Sequence, residues 1–95
     1  MSNSFGTSNS NIGLSANCAT NSQGLSTSGN GIVAPNAHNC YGETTTGTNG
    51  INGSVVSFCR ASRDGGVAIT CFNAIGCFVS GTGTVSATNK SLGTP

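Results

Sequence analysis

Cysteine is the side chain in this protein best suited to chemistry, as a nucleophile, a metal ligand or a disulfide partner. The five cysteines lie at positions 18, 40, 59, 71 and 77, and their spacing matches no zinc ligand pattern. Cys18, Cys40, Cys59 and Cys77 each occupy the same position in a repeated template, and a buried cysteine there acts as a small apolar residue. We therefore predict that these cysteines mainly fill a core. A structural disulfide between Cys71 and Cys77 or between neighbouring coils is the second alternative, and thiol chemistry is the third.

Few other side chains could carry a reaction. Glu43 and Asp64 are the two acids, and His38 is the one histidine. The acids fall in different turns about one coil apart, so they form either a carboxylate pair or, as we favour, two solvated turn residues. The sequence predicts a protein that is not an enzyme, with no catalytic residue, metal site, cofactor or identified small-molecule substrate. The three basic residues form no stripe, which argues against nucleic acid as a partner.

The template that places the cysteines consists of small and apolar residues. Counted from a cysteine, such residues occur eight, six and three positions before it and two positions after it. The offsets alternate strand-like steps of two with corners of three, which is typical of coils that stack like residues over like. Three copies fit well, a weaker copy comes first, and a fifth begins at Val85 and Ala87 and breaks at Lys90. The good copies are Ile32, Ala34, Ala37, Cys40, Gly42; Ile51, Gly53, Val56, Cys59, Ala61; and Ile69, Cys71, Ala74, Cys77, Val79, and the weak one is Ser10, Ile12, Ser15, Cys18, Thr20.

Stacked coils of this length predict an all-β fold, a parallel β-helix (solenoid) of about four to five coils with 18–22 residues per coil. The intervals between equivalent cysteines are too short to contain a helix as well as strands and turns. We predict a single domain over residues 1–95, with an N-terminal segment 1–9, coils over 10–88 and a C-terminal segment 89–95. The inward ladders would be Cys18, Cys40, Cys59, Cys77; Ala37, Val56, Ala74; and Ile32, Ile51, Ile69, with an asparagine ladder of Asn36, Asn73, Asn89 at a bend.

Composition supports a narrow interior. Gly, Ser, Thr and Asn together make up 53 of the 95 residues, and aromatic residues make up only 5%. Such a chain would be disordered unless its periodic small residues pack.

The formal net charge of +1 leaves little electrostatic repulsion between copies of the chain. The start of the chain lacks the pattern of a signal peptide, and the apolar runs are too short to span a membrane.

The run A-x-x-A-x-N-C-Y-G at residues 34–42, followed by a turn rich in Gly and Thr and by Gly50-Ile51, carries a family resemblance. It resembles right-handed parallel β-helix repeat proteins of bacterial surfaces, which have a pectate-lyase-like solenoid fold. The resemblance implies a right-handed coil and a scaffold role. It carries no catalytic residues onto this chain.

The ends of the solenoid are where we expect function. An end coil exposes unpaired backbone groups, and this chain has no amphipathic helix to cover them. We therefore predict a structural, self-assembling protein that stacks head to tail with itself into a filament, outside the cell or at its surface. The alternatives are a tip or binding module of a larger repeat surface protein and an ice-binding protein with threonine arrays. The main objection to stacking is Lys90, whose ammonium would lie at the joint.

Overall fold

A computed structural model describes residues 3–63 and 65–95, and these residues form a parallel β-solenoid of about five turns. No helix occurs among them. Each coil starts with one strand of a five-stranded sheet and continues through a second, eight-stranded sheet that bends around the other two sides. The strands are β1 Phe5–Ser8, β2 Leu14–Ser15, β3 Cys18–Thr20, β4 Gln23–Ser26, β5 Ile32–Val33, β6 Asn36–His38, β7 Tyr41–Thr44, β8 Ile51–Asn52, β9 Val55–Ser57, β10 Arg60–Ser62, β11 Val67–Ile75, β12 Phe78–Ser80 and β13 Thr84–Ser91.

The five-stranded sheet has the order β1-β4-β7-β10-β12, and all of its pairs are parallel. The larger sheet has the order β2-β5-β8-β11-β9-β6-β3, with β13 paired to β11. In the last two coils the second and third strands merge into the long strands β11 and β13. Strands are present from Phe5 to Ser91, beyond the 10–88 bounds that the sequence predicted for the coils.

The length of each coil follows from the strand register. In the five-stranded sheet, residue 5 pairs with 23, 23 with 41, 41 with 60 and 60 with 78. The coils are therefore 18 or 19 residues long on this side, and the pairing of residue 69 with 85 makes the last one 16 residues long on the other. The predicted upper value of 22 arose from counting Cys18 as equivalent to Cys40, which the register does not support.

Two columns of aliphatic side chains form the dry interior. One runs through the second strand of every coil and the other through the third, and alternate residues of those strands point outward, as strand geometry requires. Ile32, Ile51 and Ile69 are fully buried, directly over one another. The columns are Leu14, Ile32, Ile51, Ile69, Val85 and Ala19, Ala37, Val56, Ala74, and the register continues the second column to Lys90, which is exposed.

Where the two sheets converge, the interior narrows to backbone thickness. A Cβ atom added at Gly42 would overlap with the carbonyl oxygen of Gly50, which directly precedes β8. The equivalent residue in the next coils is Ala61 and then Val79, so the interior widens toward the C-terminal end. Small residues in the first three coils are therefore a packing requirement at this corner.

Candidate functional site: corner columns and open ends

The corner that opens each coil carries a column of buried hydroxyl and thiol groups. Its members are Ser22, Cys40, Cys59 and Cys77, each one residue before the first strand of a coil. The Cys59 thiol donates to the Ser57 carbonyl at 3.2 Å and accepts the Cys40 N–H at 3.3 Å. The Cys59 side chain thus makes one hydrogen bond to the residues just before it in the chain and one to the preceding coil, which we call the coil below.

Serine and threonine make the same pair of bonds at the ends of this column. The Ser22 hydroxyl donates to the Thr20 carbonyl at 2.9 Å and accepts the Ser4 N–H at 3.2 Å. At the other end, Thr94 Oγ1 accepts the Cys77 N–H at 3.0 Å and donates to the Ser91 carbonyl at 2.8 Å. The position therefore needs a small side chain that can both donate and accept a hydrogen bond, which thiols do weakly and hydroxyls strongly.

Cys18 lies outside this column, so its predicted place in the cysteine ladder is wrong. It is exposed on β3 and pairs with Asn36 of the next coil, while its neighbour Ala19 points inward. The residue of this column that corresponds to Cys40 one coil earlier is Ser22, four residues after Cys18, at the corner that opens the second coil. The repeated pattern Asn-Ser-Phe-Gly, Asn-Ser-Gln-Gly and Asn-Cys-Tyr-Gly, starting at positions 3, 21 and 39, is the signal that would have found it.

All five cysteines are thiols in the structure, so the Cys71–Cys77 disulfide is not formed. Cys71 occupies an inward position of β11, opposite Ala87 of β13. Its burial raises the pKa of the Cys71 thiol, with a further rise from Cys77. An interaction between the Cys40 and Cys59 thiols, followed by burial, raises the pKa of Cys59, whereas the same thiol–thiol interaction lowers the pKa of Cys40 to about 6. Cys59 and Cys71 are therefore neutral at physiological pH.

The predicted asparagine ladder is interrupted. Asn36 pairs with Val55, and Val55 pairs with Asn73, so a valine separates two of the three asparagines. Only Asn89 and Asn73 exchange an amide hydrogen bond, with Nδ2 of Asn89 at 2.8 Å from Oδ1 of Asn73. This column faces outward, next to the inward alanine column.

A different asparagine column takes the left-handed backbone conformation. Asn3, Asn21 and Asn39 have φ values of 51°, 51° and 55°, and Asn39 Nδ2 donates to Asn21 Oδ1 at 2.7 Å. Asparagine tolerates this conformation better than most residues. In the next two coils the position is held by Phe58, at φ 51°, and Gly76, at φ 60°. Each of these residues directly precedes the buried hydroxyl or thiol column.

The remaining polar residues also serve the coils. Ser26 and Thr44 each donate to a loop carbonyl of the coil below, and Arg63, at the equivalent position of the fourth coil, does the same with Nε at 2.6 Å from the Gly47 carbonyl. The Arg63 guanidinium thus makes the loop contact that the Ser26 and Thr44 hydroxyls make in the two preceding coils. Asn49 is buried and donates through Nδ2 to the Val67 carbonyl at 2.9 Å.

The other ionisable groups are dispersed over the surface. Tyr41 Oη donates to Glu43 Oε1 at 2.6 Å, and the Arg60 guanidinium lies 4.8 Å from the centre of the Tyr41 ring. His38 Nδ1 lies 2.8 Å from Ser57 Oγ. Asp64, the second member of the possible carboxylate pair, lies outside the described residues. Among residues 3–63 and 65–95, no three His, Cys, Asp or Glu side chains cluster as metal ligands would.

Both ends of the solenoid expose the edges of sheets. Strand β1 is one edge of the five-stranded sheet and β12 is the other, while β13 covers β11 at the C-terminal end of the larger sheet. Phe5 and Phe78 lie at the two ends of the same outward column and are 61% and 57% exposed. Lys90 ends the inward alanine column, but its side chain is exposed and its Nζ lies 2.8 Å from the Pro95 carbonyl oxygen.

Comparison of the chain with protein-family models, with curated proteins and with solved structures finds no match. The parallel solenoid is therefore established by the structure alone. Within the described part of the chain, no helix has the length and apolar character needed to cross a bilayer.

Proposed function

We propose that this protein is a non-enzymatic structural subunit whose solenoids stack head to tail into an extracellular filament. The observation that carries the proposal is the match between its two ends. The described chain contains five coils, each in the order of one five-stranded-sheet strand followed by the strands of the larger sheet. A second copy placed on the C-terminal end would present β1 to β12 and the first strands of the larger sheet to β13.

Two of the side-chain columns support this joint because each would continue with a compatible residue. On the outside, Phe78 of one copy would lie under Phe5 of the next, and both rings are exposed in the single copy. On the inside, Val85 would lie under Leu14, which are aliphatic residues at the same position of their coils. Both contacts remove apolar surface from water.

The backbone supports the same arrangement. An open strand edge is a template for further pairing, and the strands here would continue the parallel register already present between coils. The contact joins two different surfaces, so it does not close on itself and produces a filament rather than a dimer. The lone Lys90 ammonium is compatible with this joint because it already reaches solvent at the rim.

A matched pair of substitutions tests the joint. Phe72 and Phe78 are both 57% exposed, but Phe72 lies on β11 beneath β13, whereas Phe78 lies on the edge strand β12. We expect wild-type protein and Phe72→Asp to form filaments in negative-stain electron microscopy at high concentration. Phe78→Asp should remain as single particles because it places a carboxylate against the next Phe5 ring. Single particles for the wild type, or equal behaviour of the two variants, would overturn the proposal.

The two alternatives predicted from the sequence are a tip or binding module of a larger surface protein and an ice-binding protein. An ice-binding face requires hydroxyls at the same position in every coil. The outward column beside the isoleucine column runs through Val33, Asn52 and Thr70, so its side chains are mixed in character. We therefore favour assembly through the ends, and the absence of thermal hysteresis in solution would further separate it from ice binding.

A further inference from the structure

The C-terminal segment Leu92–Pro95 lies where an incoming copy would have to begin. The register of the solenoid defines a corner before each first strand, at residues 3–4, 21–22, 39–40, 58–59 and 76–77. At two of these corners the second side chain, Ser22 or Cys59, accepts the N–H of the corresponding residue in the preceding coil. Thr94 accepts the Cys77 N–H at 3.0 Å, so Leu92–Pro95 forms a sixth corner on top of the fifth.

An incoming copy needs the same place. If its Phe5 lies over Phe78, its Ser4 lies over Cys77, in the way that Ser22 lies over Ser4 within the protein. The Ser4 hydroxyl would then accept the Cys77 N–H. One N–H cannot serve both acceptors with good geometry, and two backbone segments cannot share one corner.

Two further hydrogen bonds hold Leu92–Pro95 in place. Thr94 also donates to the Ser91 carbonyl at 2.8 Å, and the Lys90 ammonium donates to the Pro95 carbonyl at 2.8 Å. Leu92 and Gly93 have φ values of 53° and 79°, in the left-handed region that one residue of each earlier corner also adopts. Strands β12 and β13 remain edges of their sheets, while the corner between them is filled by this segment.

We propose that Leu92–Pro95 is a displaceable cap that competes with the Ser4 corner of the next copy and so restrains filament growth. This inference rests on the proposed head-to-tail assembly. The cap acts on the C-terminal end alone, so growth at that end requires its release. Weakening the cap should lower the concentration at which filaments form.

Three variants separate the role of the Thr94 hydroxyl from that of the segment as a whole. Thr94→Val keeps the shape but removes the acceptor, Thr94→Ser keeps the hydroxyl, and deletion of residues 92–95 removes the cap. We expect Thr94→Val to lower the critical concentration, measured by sedimentation, about fivefold, as the loss of one ordinary hydrogen bond implies. The deletion should lower it at least as far, and Thr94→Ser should match the wild type.

The outcomes distinguish the cap from the assembly itself. Filaments of the wild type with an unchanged or raised critical concentration in Thr94→Val and in the deletion would overturn the cap and leave the assembly in place. If neither the wild type nor any of the variants assembles, both proposals fall. Assembly of the deletion variant alone would support the cap, because the cap would then block stacking completely, but it would overturn head-to-tail assembly of the intact protein. Thermal unfolding of the single particles, followed by circular dichroism, checks that each variant is folded.

Discussion

At the scale of single residues, one corner position uses three chemically different side chains for the same purpose. Ser22, Cys59 and Thr94 each accept an N–H from the coil below and donate to a carbonyl of their own coil. Cysteine adds apolar bulk at the cost of weaker hydrogen bonds. The cysteines of this column are thus explained as hydrogen-bonding core residues, with no need for a redox or metal role.

This explanation predicts that Cys59 is replaceable by serine but not by alanine. Cys59→Ala would leave the Cys40 N–H buried without its acceptor, at a cost of about 1–3 kcal/mol. For a domain of this size that corresponds to a fall in Tm of at least about 4 °C. Cys59→Ser keeps both bonds and should lose clearly less. Thermal unfolding followed by circular dichroism measures both variants, and an equal loss would show that the sulfur matters only for its volume.

Phe58 is the residue whose identity conflicts most with its backbone. Its φ of 51° belongs to the column that holds Asn21 and Asn39 in the preceding coils. A bulky residue in this conformation costs on the order of 1 kcal/mol or more. In return the ring packs edge-on against His38, with 5.8 Å between ring centres, although it remains 52% exposed.

We expect Phe58→Asn to raise Tm by a few degrees. Asparagine removes most of the strain, and its amide could continue the hydrogen bond that Asn39 makes with Asn21. Because the Phe58 ring is half exposed, its removal should cost less stability than the relief of backbone strain adds. Phe72→Asn is the control, since its ring is similarly exposed and its φ is not positive. A lower Tm for Phe58→Asn would show that the contact with His38 outweighs the strain.

At the scale of strands and columns, burial alternates with direction along each strand. In β9, Val56 is fully buried between Ala37 and Ala74, whereas its neighbour Val55 points outward between Asn36 and Asn73. Two valines that are adjacent in sequence thus have opposite environments. The difference is a direct consequence of the two-residue period of a strand.

The pair provides a test of the register. Val56→Asp should unfold the solenoid, because a carboxylate in the dry interior costs several kcal/mol of a total stability of about 5–15 kcal/mol. Val55→Asp should keep the fold with a small change in Tm. Circular dichroism and the dispersion of amide resonances distinguish folded from unfolded protein. Retention of the fold by Val56→Asp, or unfolding of both variants, would contradict the register.

The sequence was informative about coils and less so about their alignment. Small apolar residues at fixed offsets indicated stacked strands, because only a narrow solenoid can use so many of them in its interior. The prediction aligns the first template copy four residues too early, because it matches Cys18 with the other cysteines. Ser22 holds the corner position in the structure, and a serine does not resemble the cysteines in residue type. The left-handed asparagine column and the role of Arg63 depend on hydrogen bonds between coils, which residue types alone do not reveal.

At the scale of the whole molecule, each coil makes contact only with its neighbours, so stability and length should grow by whole coils. The four steps from one strand to the next along the five-stranded sheet are 18 or 19 residues long. Residues 23–40 are one complete coil, from the start of β4 to the next corner thiol. A second copy of this segment inserted after Cys40 restores the corner before Tyr41 and should therefore be accepted without a change of register.

Insertion of that coil should lengthen the repeat of the filament by one strand spacing. Five coils at about 4.8 Å each give an axial repeat of about 24 Å, and six give about 29 Å. The spacing of layer lines in diffraction from electron micrographs measures the repeat directly. The same insertion carrying Ala37→Asp in the new coil is the control, and it should fail to fold there because a charge would enter the interior. If the added coil folds but the repeat stays at about 24 Å, the subunits do not stack along the coil axis. Assembly through the two open ends would then be wrong, even if the protein formed filaments by another contact.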